Sequence, residues 1–428
     1  MLDINFIRNH QQDLSLIANQ KGINISIERI IQLDFERRKL IHDIELARFT
    51  KKKLSNDMKD FVLKGDNQHL IKSIKLQIDE INKSLKANQQ NLESILNEYN
   101  TLMLLVPNII SSDTPIGLSD KDNVVVKECG RKPTFTFSIK DHIELGHSLD
   151  IIDIKRGVKV AGTRNYYLKN MGASLHRAVQ QLAIDHLIQK GFTLLEVPAM
   201  VNEEMFINTG FFPIGQDQTY KLANSNKYLI GTSEVPIVSY YSNEFVNIEK
   251  PIKLAGISNC FRSEVGAAGR DVKGLYRVHQ FSKVEQVILC ENNVEKSNLI
   301  LEEITQNAEE ILQLLELPYR VVSVCTGDIG QGVFKKYDIE TWMPSRNSYG
   351  ETQSASNLLD FQSRRSKIRY KDNNGEIKYC HTLNNTAIAT PRILIPLLEV
   401  HQQEDGSIYI PRALRKYLNN QEYIESLL

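Results

Sequence analysis

The sequence lacks long apolar runs, and no stretch of it approaches the roughly 18 residues that a membrane-spanning helix needs. Its first residues also lack the basic start and the apolar stretch of a secretory signal. Neither charge is in excess, because 52 Lys and Arg balance 52 Asp and Glu. We therefore expect no membrane partner, and any surface for nucleic acid must be local.

Cysteine is scarce, and the sequence has no phosphate-binding loop of the P-loop type. The 428 residues include 5 cysteines, an odd number with no CxxC pair. This argues for a reducing compartment and against a structural zinc site. The pattern GxxxxGK followed by Ser or Thr is absent, which argues against a P-loop ATPase.

The N-terminal quarter is almost free of helix breakers. Between residues 33 and 102 there is no proline, and Gly65 is the only glycine. Apolar residues follow a heptad seam at 71–102 and a weaker seam upstream, and turn-forming residues 64–67 lie between the two. This pattern predicts two helices, each roughly 50 Å long, that fold back as an antiparallel hairpin. By periodicity alone, the lysines of the hairpin are interpreted as a face exposed to solvent, and the hairpin as a coiled coil for dimerisation. The residues of the main seam are Ile71, Ile74, Ile78, Ile81, Leu85, Leu92, Ile95, Tyr99 and Leu102.

The rest of the chain predicts a mixed fold. We predict an N-terminal domain at residues 1–105, a linker at 106–165 rich in Pro, Gly and polar residues, and a further domain at 166–428. Residues 174–191 predict an amphipathic helix that Gly191 ends. Short alternating strands then follow one another without helices between them, which favours an α+β fold with a central antiparallel sheet.

The segment 261–286, FRSEVGAAGRDVKGLYRVHQFSKVEQ, is the densest in charged and aromatic residues. It predicts a strand, a glycine-rich basic loop and a returning strand. Arg262 and Glu264 are expected on one face of the first strand. The returning strand is expected to carry His279, Phe281, Lys283 and Glu285 on one of its faces. A guanidinium can grip a phosphate while the aromatic ring stacks on a base. A charged hairpin held by cross-strand ion pairs is the alternative.

This segment resembles motif 2 of class II aminoacyl-tRNA synthetases, in the form found in seryl-tRNA synthetases. GTSEVPI at 231–237 is similar to the serine-binding strand of that family, and GFTLLEVPAM to motif 1, the dimer element. CTGDIGQGVFKKYDIETWMP and ETQSASNLLDFQSRR resemble the metal-binding and ATP-binding region, and HTLNNTAIATPRILIPLLE resembles motif 3. HIGH and KMSKS elements of class I enzymes are absent.

The resemblance implies an ATP site with catalytic roles for Arg262, Glu264 and Arg392. Arg262 would bind the α-phosphate, Glu264 the adenine amino group, and Phe281 and Arg392 would sandwich the adenine. Mg²⁺ would bridge the phosphates and be held by Glu351 and Ser354. The implied ATP-binding set is Arg262, Ser263, Glu264, Phe281, Glu351, Thr352, Gln353, Ser354 and Arg392.

The resemblance also implies a serine site and a tRNA-binding arm. Carboxylates would face the serine ammonium, while Asn384 and Thr386 would lie near its hydroxyl. The implied serine-binding set is Thr232, Ser233, Glu234, Arg262, Glu285, Asn384 and Thr386. The arm lysines expected to contact tRNA are Lys51, Lys52, Lys53, Lys72, Lys75, Lys83 and Lys86.

These roles imply a homodimeric enzyme that activates L-serine with ATP and charges tRNA(Ser), with tRNA(Sec) as a further expected substrate. Two alternatives are a catalytically silent paralogue that binds RNA or dimerises, and a coiled-coil scaffold. Two departures from the common pattern are Thr352-Gln353 after Glu351, and motif 3 with Pro391 before the arginine. The latter resembles the mitochondrial branch, so a mitochondrial location is expected, with a cytoplasmic one as the alternative.

Overall fold

The computed structural model describes residues 1–63, 68–265 and 273–425. The predicted turn at 64–67 and most of the glycine-rich loop of 261–286 lie outside the described residues. The chain divides into two compact units, one of residues 2–19 and 23–107 and one of residues 1, 20–22 and 108–428. In the described ranges, no helix is both long and apolar enough to cross a membrane.

The N-terminal unit contains the predicted helical hairpin. Its helices are α1 (Ile4–Asn9), α2 (Gln11–Gln20), α3 (Ile27–Leu63) and α4 (Gln68–Leu105). The 37 residues of α3 correspond to about 55 Å of helix. α3 and α4 pack against each other, and Arg29 near the start of α3 pairs with Glu98 near the end of α4 at 2.7 Å. The two helices are therefore antiparallel, as the seams predict.

The second unit holds the remaining helices and all strands of the described residues. The helices are α5 (His142–Ser148), α6 (Ile154–Ala161), α7 (Asn170–Gln189), α8 (Glu203–Thr209), α9 (Glu234–Ser239), α10 (Val294–Leu314), α11 (Phe361–Ser366), α12 (Leu394–Val400) and α13 (Arg412–Arg415). The strands are β1 (Val124–Cys129), β2 (Ile152–Asp153), β3 (Tyr167–Leu168), β4 (Thr193–Glu196), β5 (Met200–Asn202), β6 (Lys227–Leu229), β7 (Ile252–Phe261), β8 (Gln280–Cys290), β9 (Tyr319–Ser323), β10 (Lys335–Met343), β11 (Ser348–Asn357), β12 (Arg369–Lys371), β13 (Ile377–Tyr379), β14 (His381–Thr390), β15 (Ile408–Tyr409) and β16 (Tyr423–Ile424).

Eight strands form one sheet in the order β1-β9-β10-β11-β14-β8-β7-β4. All neighbours are antiparallel except β4 and β7 at one edge. Helix α7 buries its apolar side, including Leu175, Val179 and Leu187, in the same core as Leu301 and Ile304 of α10. The α+β class with a central antiparallel sheet is thus confirmed, and α7 ends just before Gly191, whose φ is +85°.

The predicted linker at 106–165 is wrong as a description of that segment. It contributes β1 to the central sheet, where Val125 pairs with Val322 of β9, and it forms helices α5 and α6. The prolines and glycines of the segment lie outside β1, whose sequence VVVKEC suits an edge strand. Five of the six residues of β1 are exposed and Cys129 is partly buried, so no buried face imposes an apolar alternation and the periodicity carried little information here.

Candidate active site and arm surface

A cavity of about 400 Å³ lies against β8, β11 and β14 in the C-terminal unit. It brings together residues from motif 2, motif 3, the 231–237 segment and the 351–354 segment, which are far apart in the sequence. The predicted residues that line it are Thr232, Glu234, Arg262, Glu264, Phe281, Glu285, Glu351, Thr352, Gln353, Ser354, Asn384, Thr386 and Arg392.

Two predicted site residues point elsewhere. The Ser233 hydroxyl is fully buried and lies 2.9 Å from the Ser258 hydroxyl, below the cavity lining. The Ser263 hydroxyl donates to the carbonyl of Asp217 at 3.0 Å. Both hydroxyls are engaged within the fold, and neither residue lines the cavity.

The motif 2 residues are placed by the connection after β7 rather than by the strand itself. Strand β7 ends at Phe261, so Arg262 and Glu264 lie beyond it, and the predicted common strand face is wrong. Arg262 donates to the carbonyl of Gly231 at 3.3 Å and its guanidinium lies 5.1 Å from the Phe281 ring centroid. Glu264 has a φ of +53° and lies 3.6 Å from Arg277.

Strand β8 supplies one wall of the cavity. Phe281, Lys283 and Glu285 alternate along it and all line the cavity, as the period of a strand requires. His279, predicted on the same face, lies before the strand. Its Nδ1 atom lies 3.0 Å from the Arg262 carbonyl oxygen, which can only accept, and 3.1 Å from the Tyr220 hydroxyl. The predicted grouping therefore holds for three of its four members.

Lys283 is a residue that the sequence reasoning did not assign to the site. Its buried ammonium lies 2.5 Å from Glu285, donates to Thr232 at 2.6 Å and lies 3.5 Å from the Thr386 hydroxyl. Thr386 also donates to Glu285 at 3.2 Å. The alternation of β8 with Phe281 and Glu285 was the available signal. The three partners of Lys283, which are Thr232, Glu285 and Thr386, are all members of the predicted serine-binding set.

Glu234 is a second carboxylate of the cavity lining, near Glu285. It accepts from the Gln362 side-chain amide at 2.7 Å, and Gln362 was missed as well. Burial, reinforced by the neighbouring Glu285 and opposed by Gln362 and Lys283, raises the pKa of Glu234 to about 7. The carboxyl group is thus poised to change charge near neutral pH.

Glu351 lies at the other end, among cations. Burial alone would raise the pKa of Glu351, but Arg392, Lys336 and Arg262 outweigh it and hold that pKa below its usual value. Arg392 Nη1 lies 3.9 Å from the Glu351 carboxylate and donates to the Glu351 carbonyl at 3.1 Å. An ionised carboxylate at this position suits a site for a divalent cation or a cationic ligand.

The residues around Glu351 fit a hard cation such as Mg²⁺. Ser354 of β11 pairs with Asp338 of β10 in the sheet register, and the Asp338 Oδ1 atom is buried without a hydrogen-bond partner among the described residues. Burial raises the pKa of Asp338 to about 6, with Lys336 opposing and Glu351 reinforcing the shift. Two carboxylates and a hydroxyl are oxygen donors of the type that Mg²⁺ takes.

Thr352 and Gln353, the departure from the common pattern, bond to each other. The Thr352 hydroxyl donates to the Gln353 side-chain oxygen at 2.5 Å and lies 2.6 Å from the Thr341 hydroxyl. Gln353 Nε2 is buried and has no hydrogen-bond partner among the described residues. The Thr352 hydroxyl is therefore satisfied within the fold while the Gln353 amide nitrogen is not, and Glu351 and Ser354 still line the cavity.

The arm lysines lie on the N-terminal hairpin, and all are exposed except the half-buried Lys51. Between α3 and α4 a shallow groove brings Lys51, Lys52 and Lys86 together with Arg48 and Lys59, which the sequence reasoning missed. Side chains four and seven residues apart on α3 share a face. This spacing was the signal available for Arg48 and Lys59.

Two family models match the chain. Residues 1–110 match the seryl-tRNA synthetase N-terminal domain, and residues 219–401 match the tRNA synthetase class II core domain (G, H, P, S and T). The serine–tRNA ligase of Borreliella afzelii is 41% identical over 425 residues, which cover 97% of this chain and 98% of that protein. The chain belongs to the seryl-tRNA synthetase family.

Other members of the family are similar over the same extent. The serine–tRNA ligase of Deinococcus radiodurans is 41% identical, with 99% of each chain covered. The crystal structure of the Pyrococcus horikoshii seryl-tRNA synthetase complexed with ATP superposes with a TM-score of 0.91 at 34% identity and covers 100% of both chains. Family membership therefore extends over both units. The cavity-lining residues from Thr232 to Arg392 lie within the part that matches the class II core, and those at 209–215 precede it.

Proposed function

We propose that the chain activates L-serine with ATP to seryl-adenylate and transfers the seryl group to tRNA(Ser). The observation that carries this proposal is one cavity with two chemically different ends. One end offers cations and an aromatic ring to a nucleotide, through Arg262, Phe281 and Arg392. The other offers carboxylates and hydroxyls to a small zwitterion, through Glu285 and Thr386.

At the nucleotide end, Arg262 binds the α-phosphate. Its guanidinium can donate two hydrogen bonds to one phosphate, and it lies over the Phe281 ring, on which adenine would stack. As the serine carboxylate attacks phosphorus in line and pyrophosphate leaves, negative charge builds on the α-phosphate oxygens. Arg262 stabilises that charge, and Glu264 accepts a hydrogen bond from the adenine amino group.

Mg²⁺ would be held by Glu351 and Ser354, with Asp338 as a further oxygen donor across the strand pair. When bound, it supplies charge that offsets the phosphates and orients the pyrophosphate leaving group. Glu351 is prepared for this role because nearby arginines keep its pKa low.

At the amino-acid end, Glu234 and Glu285 attract the serine ammonium, and Thr386 and Asn384 bond to its hydroxyl. Lys283 attracts the serine carboxylate, because its ammonium contacts Thr232 and Glu285 in the same pocket. Alanine would leave the hydroxyl-binding groups of the site buried without a hydrogen-bond partner, so alanine should bind much more weakly than serine. The site therefore selects serine by hydrogen bonding as well as by size.

In the second step a hydroxyl of the terminal ribose of tRNA attacks the seryl carbonyl, and AMP leaves. We propose that the arm holds tRNA(Ser) through the exposed lysines of α3 and α4. Charging of tRNA(Sec) and a mitochondrial location stay predictions, and the latter rests on the resemblance of motif 3 alone.

We further propose a homodimer through the motif 1 region. Three large apolar side chains are exposed there, since Ile188 of α7 is 49% exposed, Leu194 of β4 40% and Met200 of β5 52%. Strand β4 is also the last strand of the sheet, so one of its edges is available for pairing. A second copy of the chain would cover both features.

The proposal is tested by ATP–pyrophosphate exchange with each of the 20 amino acids. Serine should support exchange, while threonine and alanine should give far lower kcat/KM because they lack the hydroxyl geometry or the hydroxyl itself. Equal exchange with serine and alanine would contradict the serine assignment.

The matched control is Arg262→Ala in the same preparation. It should lower kcat for exchange by about 100-fold or more, the usual cost of losing one preorganised donor to a transition state. The change in serine affinity should be smaller than the change in kcat, and the thermal unfolding midpoint should be kept. Exchange that persists in this variant would point to a contaminating enzyme and revive the silent-paralogue alternative.

A further inference from the structure

Tyr276 lines the nucleotide end of the cavity and lies in the segment that leads into β8. Two guanidinium groups face its ring. The Cζ atoms of Arg392, which follows β14, and Arg346, which follows β10, each lie 4.4 Å from the ring centroid. Guanidinium groups at this distance are attracted to the negative face of an aromatic ring.

Tyr276 also holds Arg392 through its backbone. Arg392 Nε donates to the Tyr276 carbonyl at 3.1 Å, and Arg392 Nη1 donates to the Glu351 carbonyl at 3.1 Å. The Tyr276 hydroxyl lies 3.4 Å from the same Glu351 carbonyl. One guanidinium is thus held at two edges by carbonyls and on one face by the ring.

The neighbouring strand leaves room for this ring. Gly350 of β11 has no side chain, and a Cβ atom there would lie 3.2 Å from Tyr276 Cε2 and 2.9 Å from Met343 Cε. A side chain at position 350 would therefore press on the tyrosine. The ring occupies that space and turns its face toward Arg392.

We infer that Tyr276 is a positioning residue that sets the Arg392 guanidinium for ATP. The inference rests on the proposed function, because Arg392 is the motif 3 arginine expected to stack on adenine. With one face of the guanidinium on Tyr276, the opposite face is left for the adenine ring. Arg346 adds a second guanidinium over the same ring.

The test compares Tyr276→Leu with Tyr276→Phe by calorimetric titration of ATP with Mg²⁺ into the full chain without serine. Tyr276→Leu removes the ring and should raise the Kd for ATP about 10-fold, between the values for an exposed and a desolvated cation–π contact. Tyr276→Phe keeps the ring and should bind ATP almost as wild type does. In the exchange assay, Tyr276→Leu should raise KM for ATP but leave KM for serine unchanged.

Coupling to Arg392 is measured with Arg392→Met and the double variant. If Tyr276 acts through Arg392, Tyr276→Leu should weaken ATP binding no further once Arg392 is gone. Full additivity would overturn the inference, as would wild-type ATP binding by Tyr276→Leu, or an equal loss in Tyr276→Phe. Should the leucine variant not fold, Tyr276→Met provides the same comparison, because it keeps bulk without a ring.

These outcomes are distinct from failure of the proposed function. Wild-type protein that binds ATP but exchanges with an amino acid other than serine would reject the serine assignment and leave the role of Tyr276 measurable. Loss of ATP binding by wild type would remove the basis of both.

Discussion

At the scale of single residues, the site depends on how a few charges are partnered. Lys283 and Glu285 form a buried ion pair at 2.5 Å, and such a pair is expensive to bury unless further hydrogen bonds support it. The hydroxyls of Thr232 and Thr386 provide that support. The arrangement keeps both charges in place for a zwitterionic ligand, whose ammonium and carboxylate can each find an opposite charge.

We predict that Glu234 makes serine binding pH-dependent. Since its pKa is raised to about 7, the carboxyl is mostly neutral below pH 7 and attracts an ammonium only when it ionises above that value. KM for serine should therefore fall as pH rises from 6 to 8, by at most about tenfold per pH unit on the acid side. The measurement is the exchange rate against serine concentration across this range.

Glu234→Gln is the control for this pH dependence. The amide keeps the shape and the contact with Gln362 but cannot ionise, so KM for serine should be higher and nearly flat with pH. The profile of KM for ATP serves as an internal reference. An unaltered slope in the glutamine variant would assign the titration to another group.

At the scale of elements, we predict that the cavity on the sheet serves serine activation and that the arm serves tRNA binding. The ends of α3 and α4 near Arg29 and Glu98 are joined by an ion pair, so the chain leaves and returns at nearly one place. Every residue that lines the cavity lies after position 208. The hairpin is a self-paired element whose removal takes no side chain from the cavity.

Replacing residues 28–99 with a short Gly-Ser linker should leave ATP–pyrophosphate exchange nearly unchanged. Charging of tRNA should fall, because contacts between lysines and phosphates are lost. Two charge-assisted hydrogen bonds of about 1.5 kcal/mol each predict a loss on the order of 100-fold in kcat/KM for tRNA. The measurement is aminoacylation with labelled serine beside the exchange assay.

A milder variant keeps the hairpin and changes its charge. Lys52→Glu with Lys86→Glu reverses two residues of the groove between α3 and α4 and should reproduce part of the loss. Its charging rate should also depend less steeply on salt than that of the wild type, since fewer phosphates are engaged. Normal charging by the shortened chain would make the arm a structural coiled coil.

At the scale of the whole molecule, we predict a homodimer. Sedimentation equilibrium at micromolar concentration should give about twice the 48.9 kDa of one chain. Leu194→Asp places a charge on the exposed apolar surface of β4 and should shift the equilibrium toward monomer, because an unpaired charge is costly in an interface.

Ile377→Asp is the matched control, because Ile377 is also exposed, at 59%, but lies on β13 outside the motif 1 region. It should leave the mass unchanged. A single species of one chain in the unaltered protein would reject the dimer, and equal dissociation in both variants would place the interface elsewhere.

The sequence by itself determined the types of the main elements and the order of the motifs. The seam at 71–102 predicted the hairpin, since heptad spacing is a local property of a helix, and the amphipathic pattern at 174–191 predicted α7. Thirteen of the predicted site residues line the cavity, because each motif carries its own chemistry. Little of this required knowledge of which strands are neighbours.

Only the tertiary structure decided which side chains meet. The pairing of β8 with β14 placed Lys283 near Thr386, and the segment before α9 brought Thr232 against Lys283. The bend after Phe261 turned the Ser263 hydroxyl away from the cavity. Long-range strand pairing also placed β1, from a segment rich in turn residues, beside β9 in the central sheet. Long-range pairing and burial set these outcomes, and burial in turn set the pKa of Glu234. A local pattern carries no information about them, because the partners lie tens to hundreds of residues away.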